Sequence, residues 1–343
     1  MAATAQDKPI LEVKNLNVHY DTGRGPAKAV NDVSFSLKPG ERLGLIGESG
    51  SGKTTMATAL MRLTRHPGKI VSGSIELDGK DILKLSTKEL RETRLRDIAL
   101  IPQGAMSSLN PVMRLEEQIV DAILAHQPEM TRPSLKSRIA ELLHSVGLKP
   151  DVARRFPHEL SGGMKQRAVM AIATSLAPKV IVADEPTSAL DVVVQRQVMQ
   201  TLGRLQDGLG AAVVLIGHDM GLIAQFADII GVMYSGRIVE IGPVRQMIEA
   251  PRHPYTRLLV DSLPGIEVKQ ALLGIPGLPP PLANLPPGCS FAPRCPYAFD
   301  RCSRDLPLLQ DVGPGQVAAC HLYPEHGELP PMPARDNHAE IQP

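Results

Sequence analysis

The chain has 343 residues, 43% of them hydrophobic, which exceeds a usual single domain and is enough to fill a core. Its formal net charge of +1 excludes a nucleic-acid binder that works through a basic surface. No apolar run approaches the ~18 residues that cross a bilayer, and the opening MAATAQDKP lacks the apolar stretch of a signal peptide, so a soluble, cytosolic protein is expected.

The first segments, ILEVKNLNVHY and AVNDVSFSL, alternate apolar and polar residues, which predicts an antiparallel sheet. RLGLIG, DIALIPQ, KVIVADE and AAVVLIGHD follow; these short runs, apolar on both faces, read as buried parallel strands. Between them SLKSRIAELLHSVGL places Leu135, Ile139, Leu142, Leu143 and Val146 on one helix face. Alternating strands and helices predict an α/β layered domain.

Two motifs carry chemistry. LIGESGSGKTT follows a strand and opens a helix, with Gly47, Gly52, Lys53 and Thr54 at G-x-x-x-x-G-K-[ST] spacing. Glycines let successive N–H groups point inward at phosphate oxygens, and Ser49, Gly50, Ser51 and Thr55 complete the cradle. Lys53 then supplies a point charge for the outer phosphates and the Thr54 hydroxyl a ligand for Mg²⁺. In KVIVADEP, Asp184 emerges at the end of a buried strand where it can hold Mg²⁺, and Glu185 beside it can take a proton from an attacking water.

LSGGMKQR, residues 160–167, resembles the signature of the ATP-binding cassette (ABC) ATPases, and the resemblance runs over about residues 10–245. It implies a P-loop fold with an antiparallel β subdomain and a helical subdomain at about 105–170. By the same resemblance Tyr20 stacks on adenine, Gln103 touches Mg²⁺ and the lytic water, SALD up to Asp191 forms the D-loop, and His218 is the switch histidine. Two positions depart from the family pattern: Gly104 stands where an acidic residue is usual, and Gly217 where Thr or Ser is usual. The resemblance also implies that Ser161, Gly162 and Gly163 close on ATP held by a facing chain. One phosphate loop and one signature per chain thus call for a partner ATPase, for which the family favours a paralogue. A cassette without its own membrane spans suits an importer subunit on the cytoplasmic face of the inner membrane. Gln103 and MSSLNPVMRLEEQI would there meet two permease subunits supplied by an extracytoplasmic substrate-binding protein.

Composition changes near residue 250: 18 of the 31 prolines lie beyond it, and GIPGLPPPLANLPPG reads as an extended linker. The expected organisation is a cassette over 1–250, a small irregular four-cysteine domain over 251–325 with little core of its own, and a disordered tail over 326–343. All four cysteines, Cys289, Cys295, Cys302 and Cys320, fall in the second unit, at C-x₅-C-x₆-C-x₁₇-C spacing. In a reducing compartment a metal site is expected over disulfides. The spacing is wider than the usual zinc knuckle and suits ligands spread around a [4Fe–4S] cube, but spacing alone leaves both open. APRHPYTRLLVDSLP, the cysteine segment and VAACH resemble the tail of dipeptide and oligopeptide importer ATPases, a family that also includes nickel and oligosaccharide systems. That resemblance implies the iron–sulfur cluster. A soluble ABC ATPase linked to iron–sulfur chemistry, with no permease, is the rival reading.

Overall fold

A computed structural model describes residues 8–23, 25–263 and 275–323; the expected tail beyond 325 and part of the expected linker lie outside the described residues. In chain order the strands are β1 (Leu11–Thr22), β2 (Gly25–Leu37), β3 (Arg42–Ile46), β4 (Gly68–Leu77), β5 (Lys80–Asp81), β6 (Ile98–Ile101), β7 (Val180–Asp184), β8 (Ala212–Ile216), β9 (Ile229–Tyr234), β10 (Arg237–Pro243), β11 (Gln310–Gly313) and β12 (Gln316–Ala318). The helices are α1 (Lys53–Leu60), α2 (Thr87–Thr93), α3 (Ala105–Ser108), α4 (Leu115–Leu124), α5 (Arg132–Ser145), α6 (Gly162–Ala173), α7 (Val192–Leu209), α8 (Met220–Ala224), α9 (Val244–Glu249), α10 (Pro254–Asp261) and α11 (Asp300–Arg304).

Alternation in β1 buries Leu11, Val13, Leu16 and Val18 on one face of a four-stranded antiparallel sheet, ordered β2-β1-β4-β5. The doubly apolar strands form the second sheet, ordered β11-β12-β10-β9-β3-β8-β7-β6, in which β9, β3, β8, β7 and β6 run parallel. Every residue of β7 and β8 is buried, as strands covered on both faces must be. Pro133 opens α5, whose stripe of Leu135, Ile139, Leu142 and Leu143 faces inward, and Gly147 at φ 70° follows its end. With α4 and α6 this helix makes a helical lobe that shares the main core cluster with the central sheet.

The cysteine-bearing segment obtains its core from the cassette. β12 pairs with β10 through Glu240↔Ala318 and Ile241↔Val317, so the tail adds two strands to the edge of the central sheet. Tyr255 and Phe291 both pack edge-on against Tyr234 of β9 and tilted against each other, with ring centroids 4.7–5.3 Å apart, inside the main core cluster. Buried Glu240 ties the junction together: its carboxylate accepts the backbone N–H groups of Arg252 and His253 at 2.8 Å and the Gln316 amide at 2.7 Å.

His253 beside it is also buried, and burial pushes its pKa down to about 3. Its Nδ1 accepts the Tyr255 N–H at 3.1 Å, which requires the neutral ring. The unfolded chain binds a proton here at about pH 6.5 and the folded chain does not, so stability is whole above that pH and falls as pH drops toward 3. The loss is about 1 kcal/mol between pH 6 and pH 5. In H253N the amide oxygen can accept the same N–H. Thermal melts of H253N are expected to lose this component of the pH dependence; a profile parallel to wild type would contradict it.

Candidate active site

The phosphate loop joins the end of β3 to α1. Gly52 caps α1 at φ 103°, and a Cβ there would lie 2.0 Å from the backbone oxygen of Ala29 in β2. Only glycine satisfies both the left-handed turn and that approach. Lys53 is buried, with Nζ donating to the backbone oxygens of Gly47 at 2.7 Å and Glu48 at 2.9 Å, and burial lowers its pKa. The ammonium is thereby held inside the loop.

Asp184 ends β7, two strands from the loop, and Thr54 Oγ1 donates to its Oδ1 at 3.3 Å. Burial raises this carboxyl to about 6, so at neutral pH it is a carboxylate. The hydroxyl and carboxylate fit Mg²⁺, which takes few protein oxygens and fills its remaining positions with water and phosphate. Glu185 adopts φ 45°, an uncommon conformation for a side-chain-bearing residue and one that clusters at functional sites. It is fixed from several directions: its N–H donates to Ile216 O, its carbonyl accepts the Ser188 hydroxyl, and its Oε2 accepts the Gln103 amide at 2.7 Å. The resemblance places both residues at the lytic water, but the direct bond between them, across 82 positions, is a finding of the structure. His218, exposed at the end of β8, lines one cleft with Glu185, Pro186 and Thr187.

The signature lies on the helical lobe. Ser161 caps α6, its Oγ accepting the Met164 N–H at 3.3 Å, and a Cβ on Gly163 would stand 2.5 Å from Val194 Cγ1 on α7. Asp191 caps α7 through the Val194 N–H at 3.0 Å, and beside it Val192 and Val193 are 81% and 68% exposed. Tyr20 lies partly buried near the end of β1, its ring where a Cβ on Gly68 of β4 would stand 2.7 Å away. The two departures have local causes. Gly104 sits at φ 66°, and a Cβ on Gly217 would press on Ile223 Cδ1 at 3.0 Å.

The C-terminal segment reaches this site, which sequence reasoning missed. Tyr255 Oη accepts the Glu48 N–H at 2.8 Å, and Arg294 grips the Glu48 carboxylate with both terminal nitrogens, at 2.6 and 2.8 Å. All four cysteines are free of disulfides and line one cavity, and Cys289 N–H donates to Cys302 O at 2.8 Å. Burial first, and neighbouring sulfurs second, push Cys295 and Cys320 up to about 12. His321 turns its Nε2 to the Asp305 oxygen at 2.8 Å. Among the described residues no group of three or more His, Cys, Asp or Glu side chains is gathered so as to hold a metal ion, so the expected metal-binding character of this segment is not seen in the geometry. The four cysteines carry soft sulfur donors and line one cavity, the donor type that iron–sulfur clusters and structural zinc both take.

Comparison with known proteins agrees with these features. Residues 30–188 match the family model "ABC transporter", and residues 239–302 match "Oligopeptide/dipeptide transporter, C-terminal region". The chain is 42% identical over 319 residues to the dipeptide transport ATP-binding protein DppD of Escherichia coli, covering 92% of this chain and 97% of that one. It is also 42% identical to the oligopeptide transport ATP-binding protein OppD of Escherichia coli, over 93% of this chain and 94% of the other. Among solved structures, an ATP-binding cassette captured as a dimer in a post-hydrolysis state with ADP and Pi superimposes with a TM-score of 0.62 at 29% identity, covering 68% of this chain and 99% of that one. The chain belongs to the ABC transporter ATP-binding family, in the branch that carries the oligopeptide/dipeptide transporter C-terminal region.

Proposed function

We propose that this chain is the ATP-hydrolysing subunit of a bacterial importer of dipeptides or oligopeptides. The observation that carries the reading is the pairing, in one chain, of the Lys53–Thr54–Asp184–Glu185 site with a C-terminal segment of the peptide-transporter type. DppD and OppD, to which it is similar over nearly their full lengths, are named for dipeptide and oligopeptide transport.

In this reading Tyr20 packs against adenine, and the N–H groups of the Gly47–Gly52 loop with Thr55 hold the phosphates. Lys53 neutralises the outer phosphates. Thr54, Asp184 and Gln103 hold Mg²⁺, which when bound neutralises charge on the triphosphate. Glu185 takes the proton of the attacking water, Gln103 orients that carboxylate, and His218 stands beside it. Ser161, Gly162 and Gly163 cap the nucleotide on the facing chain, for which the family favours a paralogue. The exposed Val192 and Val193 beside Asp191 are suited to burial between the two chains. ATP, as a ligand of the closed pair alone, draws the chains together, and its hydrolysis releases them. Exposed Val112, between α3 and α4, lies in the segment assigned to the permease contact.

The partners in this reading are two permeases and a substrate-binding protein, and the chain rides peripherally on the inner membrane; among the described residues no helix is long and apolar enough to cross it. Cys289, Cys295, Cys302 and Cys320 hold a [4Fe–4S] cluster that staples the tail. Purified without oxygen from its native membranes, the protein is expected to bring two integral membrane proteins with it. The preparation should be brown, with about four irons per chain. A colourless protein without membrane partners contradicts the reading, and iron without membrane partners favours the soluble rival.

A further inference from the structure

Glu48 lies inside the phosphate loop, yet three of its groups are held from different directions. Its carbonyl accepts Lys53 Nζ at 2.9 Å and the Ser51 N–H at 3.2 Å, which shapes the loop from within. Its N–H goes to Tyr255, at the start of α10, and its carboxylate to Arg294, one residue before Cys295. The Arg294 side chain is only 4% exposed, and its remaining donors are all spent: Nε on Pro276 O at 2.8 Å, Nη2 on Ile275 O at 3.2 Å and Nη1 on Tyr234 Oη at 3.2 Å. A planar fork fixed at five points cannot follow the loop; the loop must follow it. Cys289 and Cys295 flank Phe291 and Arg294 in sequence, so the fold of the cysteine segment sets where the guanidinium stands.

We infer that Arg294 is a positioning residue for ATP, through which the cysteine segment holds the phosphate loop in its binding conformation by way of Glu48. The inference rests on the ATP site proposed above. Glu48 touches Lys53 and not Glu185 in the contacts described, so its loss weakens the grip on nucleotide throughout the reaction and leaves the proton transfer in place.

ATP hydrolysis by the native complex tests this. R294M is expected to raise the KM for ATP about tenfold while kcat falls less than about twofold. E48Q, which keeps size and removes the charge, should give the same split. The double variant should be no worse than either alone, because both remove one contact. R294K keeps the charge but not the fork, and should recover part of the loss. If R294M does not fold, E48Q still decides, since the Glu48 side chain is 28% exposed and its replacement opens no void. A KM within about twofold of wild type in E48Q, or effects that multiply in the double variant, overturns the inference. Should wild-type hydrolysis be abolished by E185Q yet indifferent to E48Q and R294M, the inference alone falls. A wild-type chain that binds no ATP overturns both.

Discussion

E185Q is expected to bind MgATP as wild type does and to lose roughly 10²–10⁴-fold in turnover. The substitution is close to a single-charge edit. The glutamine oxygen can still accept the Gln103 amide that now sits 2.7 Å from Oε2, and the backbone bonds to Ile216 and from Ser188 do not involve the side chain. The φ of 45° is set by those backbone contacts, so the new side chain is aimed as the old one was. What disappears is the lone pair that takes the proton from water. Single-turnover hydrolysis with nucleotide binding measured in parallel separates the two effects; near-normal turnover would remove Glu185 from the role of general base.

G52A is expected to abolish ATP binding and to lower stability. The added Cβ meets the Ala29 backbone oxygen at 2.0 Å, and backbone cannot swing aside as a long side chain can. Alanine at φ 103° adds a conformational cost of about 1–2 kcal/mol, and the overpacking about 1–3 kcal/mol more. Relief requires moving either β2 or the loop, and moving the loop displaces Lys53, the next residue, from the carbonyls of Gly47 and Glu48. Nucleotide titration should show a loss of more than about 100-fold, alongside a lower melting temperature. Affinity within a few-fold of wild type would mean that the loop is not the phosphate cradle.

Much of this machine is legible in the chain because its parts are local. β7 and β8 follow from four or five consecutive apolar residues, the turn at 47–52 from its glycines, and α5 from a 3.6-residue stripe. Each lies within a dozen positions, where backbone preference and burial act together. The contacts that assemble the site leave no such trace. Gln103 finds Glu185 across 82 residues, and Arg294 finds Glu48 across 246. No period or spacing encodes either pair: the first depends on β6 and β7 lying side by side in the sheet, the second on the C-terminal segment packing against the phosphate loop. The same holds for the pairing of β12 with β10, which carries the proline-rich segment onto the edge of the central sheet and lends it a core. The cysteine spacing implies one shared site, and the four thiols do line one cavity.

The proposed coupling of this ATP site to import is tested most directly by the native complex in lipid, with the proposed substrate-binding protein added empty or loaded with a dipeptide. Hydrolysis should rise several-fold with the loaded protein, and E185Q should flatten both rates. Identical rates with empty and loaded binding protein, in a complex that hydrolyses ATP, would contradict a role in peptide uptake.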